Sequence, residues 1–300
     1  MGKRLNWGVA GVGMIAHDFL TAMASLSPEQ HKVTAVAGKD LDRVYRLATL
    51  HNISTAYEGY DAIAADSTID IVFVSVLNLQ HYDRGKKNCF SSKGCGRGFS
   101  LHTTLWTSTS LAAVLGDIYH INVQFGVEIN DIERNLMKDL GGGVVLDLGI
   151  YMLQLLQFIY KEPPTDIMCT GHLSKTGVDE SMSCALKYKD GRTATIAAHT
   201  RTSLANRAEI NGTKGTIHLD YFWCPTVLHI SAANSTEWTL PKGKYKFHFH
   251  NSAGLAYQIQ ECWDCINNGL LESPKMSLDE SILLSKLCDT MRTQLGVLDS

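Results

Sequence analysis

Asn6-Trp7-Gly8-Val9-Ala10-Gly11-Val12-Gly13-Met14-Ile15-Ala16 reads as a strand, a glycine turn and the start of a helix. Gly11 permits the tight turn, Gly13 lets a pyrophosphate approach the backbone, and Ala16 stands where a small residue lets helix and strand pack closely. The N–H groups of the opening helix then face the phosphates, because a helix amino end carries unsatisfied donors. A lone Gly-x-Gly-x-x-Ala is weak. One that follows a strand, opens a helix and begins a βαβ unit points to dinucleotide binding. Gly11, Gly13 and Ile15 are its candidate cofactor contacts.

Outward from this stretch, Leu5–Ala10 reads as a buried strand and Gly11–Ala24 as loop and helix. Lys32–Gly38 is a second strand, Asp42–His51 a second helix and Ile69–Val76 a third apolar strand. The βαβαβ order predicts a parallel sheet with helices on both faces. Ligands of such sheets lie beyond the carboxyl ends of the strands. The second strand ends in Gly38-Lys39-Asp40. An acid there would receive the ribose 2′-hydroxyl of NAD, whereas a cation suits a 2′-phosphate. With Lys39 at the turn and Asp40 one step further, NADP is favoured. The third strand runs into Asn78 and His81, which are thereby aimed at the nicotinamide half.

From Asp117 the pattern changes to alternating segments at 118–125, 167–173, 181–188, 193–200, 215–219 and 226–230, joined by turn signals. They predict an open, mainly antiparallel sheet covered by a helix at 145–160, with further helices at 255–267 and 278–295. The expected fold class is therefore α/β: a Rossmann-type parallel sheet, truncated, plus an α+β domain with that open sheet. The expected domains are 1–115, abnormal at 82–114, for the dinucleotide and 116–300 for substrate and dimerisation.

Gly141-Gly142-Gly143-Val144-Val145-Leu146-Asp147-Leu148-Gly149-Ile150-Tyr151 opens the covering helix. In a helix the i, i+4 spacing places Asp147 and Tyr151 on one face, roughly 5–6 Å apart at Cβ. Glycines let a backbone approach a ligand, and a phenol beside a carboxylate can shuttle a proton. Both are candidate catalytic residues; a core tyrosine beside a capping aspartate is the plainer reading.

The 300 residues are 45% hydrophobic and 19% charged, with a formal net charge of -3. No basic footprint marks nucleic acid as a partner. No apolar run reaches the roughly 18–20 residues of a membrane span, and the amino terminus lacks a signal-peptide core, so a cytoplasmic protein is expected. Eight cysteines are scattered, and Cys262-Trp263-Asp264-Cys265 has no second ligand pair, so buried reduced thiols and no metal are expected. His248 and His250, placed on one strand face, lack a third ligand.

Taken together, the glycine loop, Gly142–Tyr151, Gly212-Thr213-Lys214-Gly215, Trp223-Cys224-Pro225-Thr226 and Glu272-Ser273-Pro274 resemble the glucose–fructose oxidoreductase and inositol 2-dehydrogenase family. The resemblance covers residues 5–81 and 115–298. It implies an NADP-dependent dehydrogenase that acts on a secondary alcohol of a cyclic trans-dihydrodiol or an aldopentose such as D-xylose, as a homodimer packed through the second-domain sheets. It further implies Tyr151 as general acid/base in place of the histidine most relatives use, Asp147 holding substrate, and Lys39 near the 2′-phosphate. By the same resemblance Phe73 and His81 lie at the cofactor. The family's Glu-Lys-Pro motif, whose lysine serves the acid/base residue, is absent from this chain. Residues 82–114 are too few for the two further βα units expected, since one βαβ unit takes roughly 30 residues. A catalytically silent cofactor-binding paralogue or an aberrant isoform is therefore the alternative.

Overall fold

Strand β1 (Leu5–Ala10) is buried along all but one of its residues, as a strand covered on both faces must be. It pairs in parallel with β2 (His31–Gly38) on one side and β4 (Ile71–Val74) on the other, while β3 (Thr55–Glu58) extends the sheet beyond β2. The helices α1 (Met14–Met23) and α2 (Leu41–His51) make the crossovers that parallel pairing requires. The structure, a computed structural model, describes residues 2–76, 108–231 and 235–298. It divides into two compact units, residues 1–100 with 240–278 and residues 101–239 with 279–300.

In the first unit Leu5, Trp7, Val9, Phe19, Val36, Val44, Ile71 and Phe73 form the core. The late helix Leu255–Asn267 returns to this core through Leu255, Ala256, Ile259 and Cys262. The first unit is thus closed by chain from far along the sequence.

The second unit is built on an eight-stranded sheet in the order β12-β11-β10-β9-β5-β8-β7-β6. Its strands are β5 (Ile118–Gly126), β6 (Asp166–Leu173), β7 (Asp179–Lys187), β8 (Thr193–His199), β9 (Arg207–Gly212), β10 (Gly215–Asp220), β11 (Val227–Ile230) and β12 (Thr236–Glu237). Only β5 and β8 run parallel; every other pair is antiparallel. Burial alternates along β7 and β8: Met182, Cys184, Leu186, Ala194, Ile196 and Ala198 are buried, and Ser183, Ala185, Lys187, Thr193 and Thr195 are exposed. One face of the sheet is therefore covered and the other open.

Two expectations are corrected in this unit. The stretch 138–160 is long and apolar enough to cross a membrane by composition, with a mean hydropathy of 1.6. In its most apolar 18-residue window 72% is buried within the fold, so core packing accounts for its apolar character. The thiols differ as well. Cys169 and Cys184 stand opposite each other in the β6–β7 register, 4.2 Å apart at Cα, and are joined as a disulfide. Their 15-residue separation carries no such signal; the strand register creates it. Cys224, Cys262, Cys265 and Cys288 are buried thiols outside this disulfide, and burial pushes the Cys265 thiol up to about 11.

Candidate functional site

The dinucleotide loop lies in the first unit. Gly11 has φ +117°, and a Cβ there would meet the Ser75 carbonyl oxygen at 2.4 Å. Only glycine fits a turn that both needs positive φ and runs against another strand end. Gly13 is the N-cap of α1 without a side-chain cap, and a Cβ on it would meet nothing within 4 Å. The space beside Gly13 and the uncapped amino end of α1 suit a phosphate group. Ile15 is half-buried against the core, and Ala16 is fully buried, as close helix–strand packing requires.

At the end of β2, Lys39 and Asp40 are both exposed, and the structure separates their roles. Asp40 caps α2, its Oδ1 accepting the Arg43 N–H at 3.1 Å. Lys39 is left as the charged group at the strand end. Arg43, not singled out from the sequence, donates through Nη2 to the Val12 carbonyl of the glycine loop at 3.3 Å. Phe73 lies in the core, stacked on Phe19 with ring centroids 3.8 Å apart, and is 7% exposed. Asn78 and His81 lie outside the described residues.

Asp147 and Tyr151 lie in the second unit, and the glycines before them have reasons within the protein itself. A Cβ on Gly142 would stand 2.7 Å from the Arg134 carbonyl oxygen and 2.6 Å from that of Asn135. Gly143, at φ +123°, passes so close to Asp179 that a Cβ would fall 2.1 Å from Oδ1. Asp179 is 1% exposed and its Oδ2 accepts the Val145 N–H at 2.6 Å, which caps the segment carrying Asp147. Burial, partly offset by these backbone donors, raises the Asp179 carboxyl above the ordinary carboxylate range.

A single π turn, Val145–Gly149, precedes the α-helix Ile150–Tyr160. The expectation of one uniform α-helix over 145–160 is thereby corrected: Ile150 N–H reaches back to the Val145 carbonyl, and this wider turn ends between Asp147 and Tyr151. Gly149 packs against the Met182 methyl, with a Cβ position 2.9 Å from Cε. Single π turns in helices recur at functional sites because they re-aim side chains.

Asp147 is held from both sides of its carboxylate. Arg134 donates from Nη1 to Oδ1 at 2.9 Å and from Nη2 to Oδ2 at 3.1 Å, a two-pronged fork that fixes the plane of the carboxylate. Tyr151 is 5% exposed, with its ring edge-on to Phe125 at 5.9 Å. Phe125 in turn stacks on Trp223 at 4.2 Å and 11°. The Trp-Cys-Pro-Thr string thus contributes to an aromatic wall next to the tyrosine. Arg134 escaped the sequence reading because it lies in the four-residue helix Glu133–Leu136, too short for its spacing to say anything of its partner.

Residues 5–89 match the model of the oxidoreductase family with an NAD-binding Rossmann fold, and residues 112–218 match the GFO/IDH/MocA C-terminal domain. Trans-1,2-dihydrobenzene-1,2-diol dehydrogenase of Danio rerio is 33% identical, covering 99% of this chain and 98% of its own. The chain belongs to the GFO/IDH/MocA oxidoreductase family. The Homo sapiens protein of the same name is 29% identical over 98% of this chain and 97% of its own. The Danio alignment runs over 329 positions against the 300 residues here, so gaps in this chain face part of that relative. Among solved structures, a 3-ketoreductase from Actinomadura kijaniata in complex with NADP superposes with a TM-score of 0.75 at 20% identity, covering 97% of this chain and 98% of its own. Levoglucosan dehydrogenase in complex with NADH and levoglucosan gives 0.79 at 13% identity, covering 98% and 97%. These two likenesses establish the shared fold. As a member of this family the chain is an oxidoreductase with an NAD(P)-binding Rossmann fold.

Proposed function

We propose that this family member is an NADP-dependent dehydrogenase of a secondary alcohol in a cyclic trans-dihydrodiol or an aldopentose such as D-xylose. The observation that carries the reading is the Arg134–Asp147 fork at the head of the helix that bears Tyr151. Gly11, Gly13, Ile15 and the amino end of α1 would hold the pyrophosphate, and Lys39 with Arg43 would face a 2′-phosphate. Bound there, the nicotinamide dinucleotide supplies the acceptor or donor of hydride. Asp147, its plane set by Arg134, accepts a hydrogen bond from one substrate hydroxyl and so orients the carbon that reacts. Tyr151 takes the proton of the reacting hydroxyl during oxidation and returns it in the reverse direction. The aromatic wall of Phe125 and Trp223 keeps water from the phenol. Asn78 and His81 complete the cofactor side. The protein acts as a cytoplasmic homodimer joined through the open face of the second-unit sheet.

A second reading rests on the absent Glu-Lys-Pro motif: a silent protein that binds the cofactor without turnover. A free phenol titrates near 10, so a phenolic base at neutral pH depends on groups that stabilise its anion, the part the motif's lysine has in the family. NADPH fluorescence titration beside turnover assays with D-xylose and a trans-dihydrodiol separates the two. Turnover that disappears in Tyr151→Phe supports the dehydrogenase; tight binding without turnover replaces it with the silent protein.

A further inference from the structure

Within the first unit, three histidines from distant parts of the chain converge. His17 comes from α1, His51 from the end of α2, and His248 from the segment preceding the helix Leu255–Asn267. The His17 ring lies 5.0 Å from that of His51 and 4.8 Å from that of His248. The expected strand over 248–250 is not formed, and the third ligand that His248 lacked in sequence is supplied by α1.

Their hydrogen bonds fix the tautomers. His17 Nε2 lies 3.2 Å from the Lys246 carbonyl oxygen, which can only accept, so Nε2 carries the proton and Nδ1 carries a lone pair. His248 Nδ1, 3.1 Å from Asp18 Oδ1, donates to that carboxylate in the metal-free chain, and a bound ion would take the place of this proton between the two groups. His17 Nδ1 then accepts from His51 Nε2, so ligation through His17 replaces that hydrogen bond and releases the His51 proton. Asp18 is fully buried and accepts the backbone N–H of His248 at 2.8 Å and of Phe249 at 3.0 Å. It pins the His248 segment to α1 before any ligand arrives. Its three recorded bonds leave about one of its four acceptor positions.

The donor atoms of His17, Asp18 and His248 all lie within 4.8 Å of one another. His51 Nε2 lies 3.1 Å from His17 Nδ1. That separation is close to the roughly 3.3 Å edge of a tetrahedron built from 2.0–2.1 Å metal–nitrogen bonds. A mixed imidazole and carboxylate set suits a borderline divalent ion rather than calcium or magnesium, which prefer oxygen alone. We propose that His17, Asp18 and His248 bind a divalent transition ion, with His51 as a further imidazole at its edge. Such an ion would tie α1 to the segment 243–250 in a place remote in sequence from Asp147 and Tyr151, and the proposal is independent of the reaction assigned above.

The test is calorimetric titration of the metal-free full chain with Zn2+, paired with melting curves with and without the ion. His248→Ala removes a half-exposed side chain, and His17→Gln keeps a polar side chain on α1. The expected result is one ion per chain, binding about 10–100-fold weaker in each variant, and a zinc-dependent rise in Tm that both variants diminish. No binding by the wild-type chain, or binding that neither variant alters, overturns the proposal.

Discussion

Replacing Arg134 with Met removes both prongs of the fork while keeping most of the aliphatic volume. The Asp147 side chain is 14% exposed and that of Arg134 33%, so the pair stands between a surface ion pair and a buried one. Exposed pairs contribute about 0–1 kcal/mol, and removing one partner of a fully buried pair costs roughly 3–5 kcal/mol. Hydrogen bonds to charged groups contribute about 1.5–3 kcal/mol each. The expected coupling is therefore about 2 kcal/mol, read from a double-mutant cycle of Arg134→Met and Asp147→Asn in denaturant unfolding. Asp147→Asn alone should cost less than Arg134→Met alone, because the guanidinium it leaves unpaired is the more exposed of the two groups and stays hydrated, whereas Arg134→Met strands the more buried carboxylate. A coupling below about 0.5 kcal/mol would place the pair among ordinary surface contacts and refute the reasoning. In turnover, Arg134→Met should raise KM more than it lowers kcat if its task is to set the plane of the carboxylate that binds the diol.

Three further expectations follow from the same geometry. Gly143→Ala places a methyl group against Asp179 at positive φ, and melting should show a loss of roughly 2–5 kcal/mol from strain and overpacking together. Burial lowers the His31 imidazole below its ordinary value of 6.5, so the folded state favours the neutral ring. Its stabilising effect is complete above pH 6.5 and is lost as pH falls through 6.5 toward the folded value; His31→Gln should flatten that part of the stability–pH curve. Lys39→Glu should weaken NADPH relative to NADH by roughly tenfold or more, the equivalent of one charge-assisted hydrogen bond, in competitive fluorescence titrations.

The fold was legible wherever period and burial agree. Leu5–Ala10 and the alternating strands at 166–173, 179–187 and 193–199 carry strong patterns and formed close to their expected bounds. Thr55–Glu58 escaped because it is short and no residue in it is fully buried. Arg207–Gly212 escaped because only Ala208 and Ile210 carry the apolar half of its alternation, too few positions to mark a strand. The site was legible in its residue types and obscure in its partners. Asp147 and Tyr151 stand out in an apolar run, yet the π turn between them has no signature in Val145–Gly149. The glycines at 142 and 143 read as ligand-facing, whereas each answers to a neighbouring protein group: the carbonyls at 134 and 135, and Asp179. His17 and His248 meet across 231 positions, a distance that no local motif can span.

The most direct test of the central claim is the rate of NADP reduction with a trans-dihydrodiol or D-xylose, measured side by side for the wild-type chain and Tyr151→Phe. Turnover in the wild type and a loss of about a hundredfold or more in the variant are expected, with NADPH affinity unchanged. A variant that keeps the wild-type kcat, or a wild type that binds NADPH and turns over neither substrate, would contradict it.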